Sequence, residues 1–156
     1  MTAATTDTVQ LGTYLPEISR QWSLALFTER HEKTYGPGRI VEEAWPERNI
    51  HSDAEAAQRE GLSAPVGSAP QFFSMIHRSM MQTFGGGWIA GGKISVKMIK
   101  SVFPTDLTTA KGRVTGLLLE AQLDGSERTR ALCTVWVETQ DGAKVMVGEA
   151  SGLLYA

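Results

Sequence analysis

The sequence predicts an α+β fold in which one long buried helix is followed by an antiparallel sheet. Three observations carry that expectation. Residues 70–84 carry large apolar residues on most of a helical surface, the second half consists of alternating segments separated by turn residues, and no helical pattern lies between those segments to serve as a parallel crossover. The chain has 156 residues, which suits one domain burying about 70% of its unfolded surface.

The first ten residues, "MTAATTDTVQ", read as a short disordered arm, with neither the basic flank nor the apolar run of a signal peptide. Residues 11–156 are then a single domain. As far as Gly61 the chain is irregular and rich in turn formers, as in "YLPEISRQWS" and "TYGPGRIVEEAWPERNIH". "SLALFTERHEK" has mixed periodicity and fits either a helix or a strand with a helical end. Ser52 or Asp53 is a suitable N-cap for "AEAAQRE", and Gly61 a suitable stop, which gives a helix of barely two turns.

"PQFFSMIHRSMMQTF", residues 70–84, is the strongest helical segment. Pro70 lies near the first helical position, where a missing N–H costs nothing, and "GGG" at 85–87 ends the pattern. Apolar residues at 72, 73, 75, 76, 80, 81 and 84 leave a narrow polar face at 71, 74, 78 and 82, so this is a core helix. "WIAGGKISVKMIKSVF" then alternates, with Ile94, Val96 and Met98 opposite Lys93, Ser95 and Lys97. "LTTAKGRVTGLLLEAQ", "RTRALCTVWVETQ" and "KVMVGEASGLLY" follow, separated by "DGSE" and a "DG" hairpin turn. At least four antiparallel strands result, and the face turned away from the helix needs solvent-tolerant residues or another subunit.

Composition narrows the function. A net charge of −2 without a basic run argues against nucleic acid, and no stretch approaches the roughly 18 apolar residues that span a bilayer. Cys133 is the single cysteine, which excludes an internal disulfide and makes a reducing cytoplasm the expected compartment. Its place in an alternating strand makes it a small core residue. No zinc spacing and no G-x-S-x-G elbow occurs. "GGGWIAGG" follows a helix and precedes a strand, the reverse of a dinucleotide loop, so no cofactor is expected. His31 sits in "TERHEK" and is read as solvated; His77, on the apolar helix, is read as a satisfied core or interface residue. His51 follows an irregular segment whose backbone is free to place the ring in a cleft, or it simply packs before the Asp53 cap.

The order of these elements resembles that of MaoC-like hydratases of the hot dog superfamily. In that family D-x-N-P-I-H-x-D leads into a short helix, and P-I-A-H-G-M opens a long buried one. Here "NIHSD", "AEAAQREG" and "PVGSAP" correspond, and "VFPTD" is similar to the family's strand-and-turn V-F-P-G-D, with Pro104 and Asp106 in register. The likeness spans roughly residues 40–154. It implies a curved antiparallel sheet wrapped around the helix at about 70–84, a homodimer or an oligomer of dimers, and an enoyl or 3-hydroxyacyl thioester, on coenzyme A or a carrier protein, as the small-molecule partner.

Carried over position by position, His51 matches the catalytic histidine, and Asp53 becomes a helix cap. The family's aspartate falls on Pro46, while Arg48 and Asn49 replace its asparagine and proline. Glu47 is the first candidate for the missing carboxylate, although neighbours on an extended chain point in opposite directions. Glu43 is the second; otherwise both are solvated acids. Ser68 and Ala69 stand at the family's histidine and glycine, and the resemblance places them with Phe72, Phe73 and Trp45 on the substrate. The Ala69 N–H remains able to donate, whereas Pro70 has none. The resemblance thus implies a hydratase or dehydratase with a histidine acid/base and an oxyanion site at a helix N-terminus. The alternative is a non-catalytic acyl-binding subunit or the inactive half of a heterodimer. Thioester hydrolysis ranks last, because residues 70–84 contain no carboxylate.

Overall fold

The computed structural model describes residues 9–28, 48–122 and 125–154. The long helix, α2, spans Ala69–Phe84, one residue more than the pattern predicts. Before it lie strand β1, Ile18–Gln21, and the short helix α1, Ala54–Arg59; after it come helix α3, Gly86–Gly91, and strands β2, Lys93–Met98, β3, Leu107–Ala121, β4, Glu127–Thr139, and β5, Lys144–Leu153. Every strand pairing is antiparallel, and the sheet order is β1-β3-β4-β5-β2.

Alternation sets which side chains meet the helix. Ala131, Cys133, Val135 and Val137 of β4 all turn inward, as do Ala110 and Val114 of β3, and all six are buried. Against them pack Phe72, Met75, Ile76, Met80 and Phe84 of α2, each almost wholly removed from water. A fully buried side chain of this size stabilises by about 1.5–3 kcal/mol, so this helix–sheet contact dominates the fold. A register shift between Val114 and Gly116 lets the long strand β3 bend around the helix. The outer face carries polar and charged groups: Lys111 pairs with Glu138 at 2.9 Å, and Arg130 with Glu120.

Four expectations need revision. A fifth strand, β1, lies in the region read as irregular, where the described part of "SLALFTERHEK" takes the helical one of its two readings at 24–28. Triple glycine does not open directly into a strand. Gly85 turns the chain with φ +51°, and residues 86–91 form a further helical turn because Trp88 is drawn into the core, 7% exposed. The polar face of α2 is displaced as well. Gln71 is buried, its side chain accepting from the Ser68 N–H at 3.0 Å and donating to the Leu26 carbonyl at 3.2 Å, whereas Phe73 and His77 are exposed. Finally, Val9, assigned to the arm, is a core residue.

Candidate functional site

His51 is positioned by a turn and a strap. Asn49 Oδ1 accepts the His51 backbone N–H at 2.8 Å, and the Asn49 carbonyl accepts the N–H groups of Ser52 and Asp53. Asp53 then caps α1, its Oδ1 accepting from the Ala56 N–H at 2.9 Å, while its other oxygen lies 3.8 Å from Arg48. Asp53 is therefore engaged as a cap.

The imidazole reaches across to the segment entering α2. His51 Nδ1 lies 2.7 Å from the Val66 carbonyl oxygen. A carbonyl only accepts, so Nδ1 carries a hydrogen, and in a neutral ring the lone pair is then on Nε2. Two backbone bonds hold the same segment, Val66 N–H to the Ile50 carbonyl at 3.0 Å and Gly67 N–H to the Val102 carbonyl at 2.9 Å. Gly67 is required there: any Cβ would collide with the rings of Phe72 and Phe27.

An open cleft of about 590 Å³ lies at this point, bounded by His51, by Gly67–Pro70 at the start of α2, and by Met98–Ser101 where the chain leaves β2. At the helix start the Ser68 N–H is taken by Gln71. The Ala69 N–H, one of the first orphan donors of the helix, has no acceptor among the described residues, and Ala69 is exposed on the cleft wall. The positive end of the helix dipole adds to that donor. The cleft thus combines the His51 ring, an N–H with no described acceptor and a largely apolar wall.

Of the residues singled out from sequence, the structure brings His51, Ser68 and Ala69 together. Phe72 does not line the cleft. It is fully buried, with its ring 5.1 Å from that of Trp22. Phe73 lies on the outer side of α2, stacked near His77. His77 itself is exposed, its Nδ1 accepting from Trp88 Nε1 at 3.0 Å; it is satisfied but is not a core residue. Cys133 is a core residue, and burial pushes its thiol pKa up to about 12. His31, Glu43, Trp45, Pro46 and Glu47 lie outside the described residues. Sequence reasoning missed Met98, Ile99, Lys100 and Ser101 as cleft residues. The only available signal was the break in alternation after Met98. Among the described residues no group of acidic, histidine or cysteine side chains is arranged to hold a metal, and no helix is long and apolar enough to cross a membrane.

No family model matches the sequence, and no curated protein does. Solved structures do. An R-hydratase from Pseudomonas aeruginosa superposes with TM-score 0.71 at 14% identity, over 97% of this chain and 86% of that one. A MaoC-like dehydratase from Rhodospirillum rubrum gives TM-score 0.69 at 13% identity, over 98% and 97% of the two chains. A (3R)-hydroxyacyl-ACP dehydratase complex from Mycobacterium tuberculosis gives 0.61 at 10% identity, over 92% and 96%. The chain has the hot dog fold.

Proposed function

We propose that the protein is a hydratase/dehydratase-type lyase acting on an enoyl or 3-hydroxyacyl thioester, or a related carbonyl compound. The observation that carries this reading is the pairing, in one cleft, of a His51 ring oriented by the Val66 carbonyl with the Ala69 N–H at the helix start. In hydration, Nε2 takes a proton from water as the water oxygen bonds to C3 of the enoyl group. The electron pair moves through C2 toward the thioester oxygen, where the Ala69 N–H and the helix dipole stabilise the negative charge. The imidazolium then returns its proton to C2, and dehydration runs the same steps backwards. Glu47 is the first candidate, and Glu43 the second, for the carboxylate that would help hold the water. The likeness to hydratases and dehydratases of the same fold supports the reaction class, and an assembly of at least two copies in the cytoplasm belongs to the same proposal.

A panel of enoyl thioesters assayed with the wild type and with His51→Ala and Glu47→Gln tests it. General acid–base catalysis contributes about 10²–10⁴-fold, so kcat/KM for His51→Ala drops by that factor. Wild-type turnover matched by His51→Ala would show that the base lies elsewhere. Loss of activity in Glu47→Gln assigns the carboxylate.

Pro46 in place of an acid favours a second reading, an acyl-binding or non-catalytic half of a heterodimer. That reading predicts binding of thioesters without turnover until a partner subunit with an intact acid–base pair is added.

A further inference from the structure

Several basic side chains elsewhere on the sheet are matched with acids, and Arg20, Arg113 and Lys144 lie over aromatic rings. Lys93 lies 3.8 Å from Glu120, Lys111 contacts both Glu17 and Glu138, and Arg130 pairs with Glu120. Lys100 differs. Among the described residues it forms no ion pair, yet it lines the cleft beside His51 and the start of α2. The described lining contains no acidic side chain, and Lys100 is its one lysine or arginine. Its backbone is fixed: the Ile99 and Lys100 N–H groups both donate to the Val145 carbonyl, at 2.8 and 3.3 Å, so the ammonium swings on an anchored stem. The acid that senses its charge, Asp141, is occupied. Its carboxyl is held below the usual range first by the Thr139 hydroxyl, then by backbone N–H groups, with Lys100 contributing least.

From this arrangement we infer that Lys100 is a specificity residue that binds an anionic oxyacid group of the substrate at the cleft mouth. The inference deepens the thioester reading and rests on it for the identity of the ligand. A lysine on the described rim of an apolar-walled cleft selects a molecule that is apolar where it reaches His51 and anionic at one end. Two sources supply such a group: a phosphate on the thioester's carrier arm, or a second carboxylate on the acyl chain.

Kinetics with Lys100→Gln and Lys100→Arg separate them. Crotonyl coenzyme A and the dicarboxylic mesaconyl N-acetylcysteamine thioester are each compared with crotonyl N-acetylcysteamine thioester, which carries no anion. A rim charge of this kind is worth about two- to fivefold. We expect the ratio of kcat/KM for one anionic substrate over the neutral one to fall by that factor in Lys100→Gln, to recover in Lys100→Arg, and to shrink with added salt in the wild type. A fall for the coenzyme A ester assigns the carrier phosphate, and a fall for the mesaconyl ester assigns the acyl carboxylate. Calorimetric titration with coenzyme A and with the mesaconyl thioester is independent of turnover. If no thioester reacts but binding weakens in Lys100→Gln, the lyase reading fails and the anion site stands. Equal affinity in wild type and Lys100→Gln, or no binding by either, overturns the inference.

Discussion

The two ends of α2 are built in opposite ways. At the C-terminal end, the Gly85 N–H returns to the Met81 carbonyl, Trp88 folds back into the core, and Phe84 presses on Gly152 so closely that a Cβ there would lie 2.5 Å from its ring. At the N-terminal end, the Ala69 N–H has no acceptor among the described residues, and the wall opposite is a chain segment leaving the sheet rather than the sheet itself. One end is closed by packing; the other keeps a donor and an open volume. A single helix thus separates the stabilisation of the fold from the polar groups available to a ligand, and the two are open to independent disruption.

The largest break should come at the closed end. Phe84 is fully buried, so Phe84→Ala is expected to destabilise by about 3–5 kcal/mol in denaturant unfolding, with activity per folded molecule largely retained. Next is the open end. Ala69→Pro removes only the orphan N–H at a position where proline is accommodated, and loss of an oxyanion donor typically costs about 10²–10³ in kcat. An unchanged melting temperature with that loss sharpens the contrast between the ends; unchanged kcat would remove Ala69 from the mechanism. The smallest effect concerns the support of His51. Asp53→Ala should cost about 1 kcal/mol through the lost cap of α1, read as faster amide exchange at residues 54–59 while α2 stays protected.

The closed end was partly legible in the sequence and the open end in outline. The apolar run at 70–84 marks α2 to within one residue, because few fates other than burial suit so apolar a segment. The alternation of Ile94, Val96 and Met98 places β2 correctly. Strand β1 escaped notice because four residues show too little periodicity, and its existence depends on pairing with the distant segment Leu107–Ala110 at the start of β3. Helix α3 was masked by glycines whose local preference is overridden by Trp88 seeking the core. A cleft position for His51 was one of the two readings the sequence offered, and His51 does line the cleft. Lys100 was not identifiable, since its place in the cleft arises only when the exit from β2 folds over the start of α2.

Gly67 joins the core and the cleft in one residue. Its Cα faces the aromatic rings inside, while its backbone forms part of the rim outside. A protein engineer hoping to widen the substrate range therefore has unequal freedom around the opening. Ile99 and Ser101 offer positions where a new side chain meets solvent, whereas altering residue 67 would be felt first as misfolding. Diversification of this scaffold should consequently run along the outer lip and leave that inner corner untouched.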